Sequence, residues 1–331
     1  MIAYSQIVSV ILGLADWTIL YALVSISLNL EAGFAGIPNF GRVLTFLVGL
    51  VVTTNLADTV FNGTYTNPLA GIGVLLACAV LSAIAGFAAG VLSGLPAIRL
   101  REDYLAIFLL CVAEAFVWFA YNNQALIGGV YGKPVDAYIF SWAPDPYLAQ
   151  TITYIVLFIG LYYLVHRLVS SPFGRILRAI RENELVAEVF GRNVTKMKLI
   201  VMGIGGALSA VAGTLYAFFM KYVVVVPTMR VEWTFVPWLI IVLGGLGNNL
   251  GAVIASALYA ILYVVIRAYE DVITAALHIP FDPVYLFGYV FFGILLIVVS
   301  LYRPEGILPE KPILTKPIRE LLRRAKQRQK K

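Results

Sequence analysis

The sequence predicts an all-α integral membrane protein, a bundle of about nine transmembrane helices. Of its 331 residues, 61% are hydrophobic and only 13% are charged, whereas soluble domains contain about 25% charged residues. Apolar runs long enough to cross a bilayer as helices, about 18 residues or more, recur along the chain. A membrane β-barrel is excluded because its strands alternate apolar and polar residues, and these runs do not alternate.

The candidate spans are nine apolar runs. Gly33, Gly36, Pro38 and Gly41 follow the first run and favour a broken helix there, so about eight to ten spans are compatible with the sequence. The runs cover residues 7–30, 40–56, 69–95, 104–121, 151–165, 199–220, 228–247, 250–268 and 285–302.

The basic residues indicate the orientation of the chain. Most of the 24 lysines and arginines lie in a loop, residues 167–198, and in the C-terminal tail. Cytoplasmic segments carry an excess of Lys and Arg, so we expect both segments in the cytoplasm and the loop 122–150 outside. The chain then divides into a transmembrane domain, residues 1–303, and a basic cytoplasmic tail, residues 304–331, in the plasma membrane.

The tail is typical of a membrane-surface anchor. Ile318, Leu321 and Leu322 recur at helical spacing among many cations. Such a helix lays its apolar side chains on the bilayer while its cations meet anionic lipid. Membrane lipid is therefore the expected partner of the tail, and nucleic acid is not.

Several kinds of chemistry find no support in the sequence. Cys78 and Cys111 lie within apolar runs, where small buried side chains are the ordinary interpretation, and no metal-ligand spacing is present. The stretch GGVYGKP, residues 128–134, lacks the Ser or Thr that follows the lysine of a phosphate-binding loop. Neither a nucleophile–base pair nor a carboxylate cluster is found. We therefore expect no enzyme activity, no catalytic residue, no metal and no cofactor in this chain.

A charged, patterned stretch, SPFGRILRAIRENELVAEVFGRNVTKMK, interrupts the apolar sequence at residues 171–198. Ser171 can cap a helix, and Pro172 fits its first position. Arg178 and Glu182 lie four residues apart and are expected to pair. The apolar residues follow one stripe of an amphipathic helix along the membrane surface: Phe173, Ile176, Leu177 and Ile180.

A second, shorter helix is predicted next. Asn183 is a good capping residue, and Glu184 in the first turn suits the helix dipole. Gly191 ends the helix because glycine accepts a left-handed conformation. The helix exposes three apolar side chains, which a soluble partner would cover; an interfacial loop without a partner is the alternative. These side chains are Leu185, Val189 and Phe190.

The same stretch resembles the cytoplasmic loop of the permease subunits of branched-chain amino-acid ABC importers. Four further motifs extend the resemblance over nearly the whole chain. They are SLNLEAGFAG at 27–36, IRLREDYLAIFLLCVAEAF at 98–116, VLGGLGNNLGAVIASAL at 242–258 and LYRPEGIL at 301–308.

The resemblance implies a transport subunit that has no ATPase site of its own. It implies two ABC ATPase subunits that bind the ATP, a second homologous permease and an extracytoplasmic solute-binding protein. The coupling helix of the family docks on the ATPase. The residues carried over to it are Arg181, Glu182, Asn183, Glu184, Ala187, Phe190 and Gly191.

The sequence also departs from the family pattern. IPNFGRVLTF follows Gly36 where the family has a Ser-Leu-Gly-His-Ala run, and IGG at 127–129 replaces Thr-Gly-Gly. The solute is therefore branched-chain or related amino acids, with urea, short amides or sugars as alternatives. An ion-coupled secondary transporter is the alternative from another class. It needs paired ionisable groups at mid-membrane, and we expect only Glu114 to lie deep.

Within the membrane, Glu114 is expected either to line the translocation path or to have a paired structural role. Gly244, Gly245, Asn248 and Asn249 either break a helix along that path or form an inner turn. Asp16, Glu31 and Arg42 are expected at the interfaces, near span ends. Small residues four apart, Gly206/Ala210 and Ser209/Gly213, predict close helix packing.

Overall fold

The computed structural model describes residues 2–97, 100–268, 284–303 and 305–310. The described part of the chain is almost entirely helical. Its α-helices are α1 Ile2–Asn29, α2 Arg42–Thr59, α3 Pro68–Ala97, α4 Glu102–Asn122, α5 Gln124–Ile127, α6 Pro146–Ser170, α7 Pro172–Glu182, α8 Glu184–Val189, α9 Val194–Met220, α10 Val236–Gly244, α11 Asn249–Ala268 and α12 Val284–Tyr302.

The predicted fold class is confirmed. Within the described residues, 7 helices are long and apolar enough to cross a membrane, and a shorter apolar helix covers Val231–Gly244. Helix α12 corresponds to the last predicted span. Each of the nine predicted spans overlaps a helix of the structure. The predicted tail helix, with Ile318, Leu321 and Leu322, lies outside the described residues.

Helix α6 begins earlier than predicted, at Pro146 rather than near residue 151. The side chain of Asp145 accepts hydrogen bonds from the backbone N–H groups of Tyr147 and Leu148, at 3.0 and 3.2 Å. This cap, with proline in the first turn, starts the helix ahead of the continuous apolar run. The hydropathy of the sequence could therefore not locate the start of the helix.

Small residues bring α3 and α9 into backbone contact, as predicted. A Cβ atom added to Gly206 would overlap the backbone carbonyl of Gly86, and one on Gly213 would overlap that of Phe46 in α2. Without a side chain at these positions, helix backbones approach closely and gain van der Waals contact. Helix α9 is accordingly the central helix of the bundle, packed against α1, α2 and α3.

Two helices are interrupted by short π-helical turns, Leu30–Phe34 after α1 and Val231–Phe235 before α10. Residues 36–41 then have no helical structure, which agrees with the expected break near the glycines. Gly36 has φ +72°, a left-handed conformation that glycine adopts without strain. Non-helical backbone within a membrane protein is tolerated where protein or a water-filled cavity covers it. Here every residue of the segment is buried or partly buried.

The two ends of the bundle differ. At one end, the loop after α4 folds into α5, a 3-10 turn and two short strands. Of these, β3 Ala137–Tyr138 pairs with β1 Gly63–Thr64, which follows α2, and β2 Lys133–Pro134 pairs with β4 Tyr222–Val223, which follows α9. We name this the strand end. At the opposite ends of α6 and α9, the chain forms α7 and α8. We name that the α7–α8 end.

Candidate functional site

Helix α7 forms as its sequence predicts. The Ser171 hydroxyl accepts a hydrogen bond from the backbone N–H of Phe173 at 3.2 Å, and Pro172 is the first helical residue. Leu177 is buried in the same cluster as Phe34 of the first π turn and Val169 of α6. The apolar face of α7 therefore lies on the helix bundle itself, and any displacement of α7 acts on that core.

Helix α8 is a short, capped helix that ends where predicted. The Asn183 side chain accepts a hydrogen bond from Val186 N–H at 3.1 Å, and Gly191 has φ +74°. Glu184 forms an ion pair with Lys198 at the start of α9. Caps at both ends and this ion pair hold the short helix in one orientation.

The side chain of Ala187 faces inwards. It is buried in a small cluster with Ile180 of α7 and Val194 of α9. Ala187 therefore joins the three helices α7, α8 and α9 rather than offering a contact to a partner. Its predicted role in ATPase coupling stays a prediction.

Three apolar side chains of this turn project into solvent. Leu185, Val189 and Phe190 are 73%, 86% and 79% exposed. We name these three residues the knob. Glu182, the last residue of α7, is exposed beside them. Exposed apolar clusters of this kind are typical of sites that contact a protein or a membrane, and docking of a partner here stays a prediction.

Two arginines of α7 bind a glutamate from the end of the described chain. Arg178 Nε lies 2.8 Å from Glu310 Oε1, and Arg181 Nη2 lies 2.7 Å from Glu310 Oε2. Arg181 also donates to the backbone carbonyl of Gly33. The expectation of an Arg178–Glu182 pair is thus wrong. Arg178 pairs instead with Glu310, whose carboxylate is better shielded from solvent than that of Glu182.

The glycine-rich stretch 242–249 forms a tight turn between α10 and α11. Gly245 and Gly247 have φ +106° and +77°. Asn248 caps α11 by accepting hydrogen bonds from two backbone N–H groups, and its amide donates to the carbonyl of Pro309 at 3.2 Å. Gly244, at the end of α10, accepts from Leu308 N–H at 3.0 Å.

The same turn is bound to the end of α1. Asn29 donates to Asn249 Oδ1 at 2.8 Å and accepts from Gly247 N–H at 2.9 Å. These polar groups are hydrogen-bonded within the chain, so the stretch forms a turn, and its position on the inner side of the membrane stays a prediction. A role of these residues in the translocation path stays a prediction.

Asp16, Glu31 and Arg42 are expected at the interfaces, near span ends, and their depth in the membrane stays a prediction. All three are buried, and Glu31 and Arg42 have fully buried side chains that form an ion pair. Asn39 of the non-helical segment adds a hydrogen bond to Glu31 Oε2 at 2.8 Å. The break after α1 turns the chain back into the bundle, and this brings Arg42 beside Glu31.

A second polar contact lies among aromatic rings. Tyr21 of α1 donates to Glu232 of the second π turn at 2.8 Å. The Tyr21 ring stacks on Trp233, with ring centroids 5.3 Å apart. π-Helical turns are rare overall, and those that occur are often at functional sites. The two turns with their glutamates are features that the sequence did not reveal.

Glu114 is paired. Its Oε2 lies 2.8 Å from Arg230 Nη1, and its Oε1 accepts from Trp118 Nε1 at 3.1 Å. The Glu114 side chain is 26% exposed and that of Arg230 34%. A charged pair that is partly uncovered within a span needs a polar neighbour or water on its open side.

The structure brings the predicted coupling residues together at the α7–α8 end, with the glycine-rich turn beside them through Glu310 and Pro309. Glu114 belongs to a separate contact on α4. Sequence reasoning missed Asn29, Glu31, Arg42 and Glu310 as site residues. A signal was present for Glu31 and Arg42, since charges flank a glycine-rich break in an apolar stretch.

Comparison with known proteins supports the resemblance that the sequence motifs indicate. The family described as "Branched-chain amino acid transport system / permease component" matches residues 10–300. A probable branched-chain amino acid transport permease protein LivM from Methanocaldococcus jannaschii is 39% identical, over 92% of this chain and 94% of its own. LivM from Salmonella typhimurium is 26% identical, over 89% of this chain and 69% of its own.

A probable LivH permease from Methanocaldococcus jannaschii is also similar, at 27% identity over 87% of this chain and 88% of its own. No solved structure matches. The sequence motifs, the multi-pass helical fold and the family match over residues 10–300 all indicate the same family. The chain belongs to the family of permease components of branched-chain amino acid transport systems.

Proposed function

We propose that this chain forms part of the translocation path of an ABC importer for branched-chain amino acids and that its knob docks on a separate ATPase subunit. The observation that carries the docking proposal is the exposure of Leu185, Val189 and Phe190 on a helix that caps and an ion pair hold rigid. A flexible loop could not transmit a displacement, whereas a short rigid helix can.

The route of that displacement starts at α7. Leu177 packs into a core cluster with residues of α6 and of the first π turn. ATP binding by the partner would pull the knob, α7 would move with it, and the spans would change between outward-open and inward-open arrangements. A bias arises if the ATPase binds one arrangement more tightly than the other.

The sidedness of the proposal follows from charge. Arg175, Arg178, Arg181, Arg192 and Lys196 lie at the α7–α8 end, which is expected in the cytoplasm. The strand end then faces outwards, where an extracytoplasmic solute-binding protein would deliver the solute. ATP would be bound by two partner ATPase subunits and not by this chain.

A second permease completes the proposed path. Similarity to both LivM and LivH of one organism supports a pair of homologous permeases. The Glu114–Arg230 pair is partly exposed, and lipid would not solvate its charges. This supports an arrangement in which the exposed face of α4 lines the path.

The family also decides against an ion-coupled secondary transporter. The sequence argument against that class was that only Glu114 lies deep, and the buried Glu31–Arg42 pair adds a second charged pair within the bundle. Full-length similarity to permease components is therefore the reason to prefer the ABC importer.

The docking proposal is tested with polar substitutions in the knob. Leu185→Ser and Phe190→Ser should leave the membrane-inserted fold intact, because both side chains are more than 70% exposed. The tagged double variant should lose co-purification of the ATPase subunits. Val60→Ser, at the strand end and 61% exposed, is the matched control. Retention of the ATPase by the double variant contradicts the proposal.

The solute is tested separately. Vesicles that contain the complete transporter with its binding protein should take up labelled leucine, isoleucine or valine when ATP is supplied inside. Uptake of labelled urea or ribose instead would assign the chain to one of the alternatives. Uptake by this chain alone under an ion gradient would contradict the ABC mechanism.

A further inference from the structure

The docking proposal assigns no role to residues 305–310, at the end of the motif LYRPEGIL and just after it, yet the structure gives several of them specific partners. Ile307 N–H donates to the carbonyl of Leu243 at 2.9 Å, and Leu308 N–H donates to that of Gly244 at 3.0 Å. A Cβ atom on Gly245 would lie 2.9 Å from the Glu305 carbonyl. The segment after α12 is therefore fitted to the turn between α10 and α11.

Glu310 extends this segment to the coupling helix. Its two carboxylate oxygens bind Arg178 and Arg181 at 2.8 and 2.7 Å. The three side chains are 17 to 27% exposed, so bulk water screens the contacts only in part. We name Arg178, Arg181 and Glu310 the Glu310 bridge.

The bridge also reaches the break after α1. Arg181 donates to the Gly33 carbonyl, and the Arg178 guanidinium lies over the Phe34 ring, 4.9 Å from its centroid. A Cβ atom on Gly33 would lie 2.6 Å from the backbone nitrogen of Gly247. The break after α1, the α10–α11 turn and α7 thus meet around one carboxylate.

We propose that Glu310 is a positioning residue for energy coupling, which fastens α7 to the break after α1 and to the α10–α11 turn so that a displacement of α7 moves both. The proposal rests on the proposed function, since it concerns how the docked knob acts on the spans. Apolar contacts allow α7 to slide, whereas charge-assisted hydrogen bonds with two arginines define direction and distance. Glu310 does not touch the ATPase or the solute in this scheme.

The experiment compares transport with ATP hydrolysis in vesicles that contain the complete transporter. Glu310→Gln keeps the shape of the side chain and removes its charge. We expect the ATPase subunits to co-purify as with the unchanged chain and to hydrolyse ATP, while leucine uptake per ATP falls about tenfold, a factor in the range set by losing charge-assisted bonds. Glu305→Gln, an exposed neighbour, is the matched control.

A double-substitution test separates positioning from general stability. Arg178→Gln should also reduce uptake per ATP, and the double variant should lose clearly less than the product of the two single losses, because both substitutions remove the shared Arg178–Glu310 contact. Arg175→Gln, exposed on the same helix, should change nothing. If Glu310→Gln fails to insert into the membrane, Glu310→Asp keeps the charge on a shorter side chain and should retain an intermediate ratio.

Three results would overturn the proposal: an unchanged ratio in Glu310→Gln, losses that multiply in the double variant, or release of the ATPase by Glu310→Gln. The last result would place Glu310 in docking rather than in positioning. Failure of the proposed function looks different, because the unchanged chain itself would then show no ATP-dependent uptake.

Discussion

Replacement of Arg42 by methionine tests the buried ion pair directly. The side chains of Arg42 and Glu31 are both fully buried, and the Asn39 amide also donates a hydrogen bond to the Glu31 carboxylate. Methionine fills similar space without charge. Arg42→Met would leave the Glu31 carboxylate buried without its cation.

Removal of one partner from a buried ion pair costs about 3–5 kcal/mol in free energy of unfolding. Protonation of Glu31 would limit the loss, so we expect about 3 kcal/mol for Arg42→Met. The double variant Glu31→Gln/Arg42→Met removes both charges and should recover most of that loss, because replacing a whole buried pair is often nearly neutral.

The measurement is the free energy of unfolding of the purified chain during titration of mixed micelles with a denaturing detergent. Lys133→Met is the control, since it breaks the partly exposed Lys133–Asp58 pair at the strand end, at 2.7 Å. That change should cost about 1 kcal/mol at most. A double variant as unstable as Arg42→Met alone would refute the reasoning, because the loss would then come from packing and not from an unpaired charge.

Two further substitutions test helix packing and the α10–α11 turn. Gly206→Leu should lower the free energy of unfolding by about 3 kcal/mol, because the new side chain must separate α9 from the Gly86 backbone. Gly73→Leu is the control, because the position has open space around it. Equal losses in the two variants would contradict this packing. Asn29→Ala should lower the free energy of unfolding by about 1–3 kcal/mol, because it removes the side-chain oxygen that accepts the Gly247 N–H. An unchanged free energy of unfolding in the same titration would contradict this role of Asn29.

Local features of the sequence were sufficient for the helices and for the knob. Span positions follow from hydropathy, and the start of α8 follows from the capping residue Asn183. The end of α8 follows from Gly191, which takes the positive φ that a helix end requires. These properties depend on residues within one or two helical turns, so the sequence alone contains them.

The start of α6 was less accessible. Its cap, Asp145, lies six positions before residue 151, where the predicted apolar run begins. Helix ends depend on hydrogen bonds to a few backbone N–H groups, whereas hydropathy averages over about 18 residues.

The sequence by itself determined a membrane-embedded helical permease with a capped, partly apolar helix at one end. The tertiary structure alone decided which charges are buried and which residues pair: Glu31 with Arg42, Asn29 with Asn249, and Glu310 with the arginines of α7. Apart from Glu31 and Arg42, these partners lie more than a hundred residues apart. Their contact depends on how far each helix extends and how its neighbours pack, and no local pattern of residues records that.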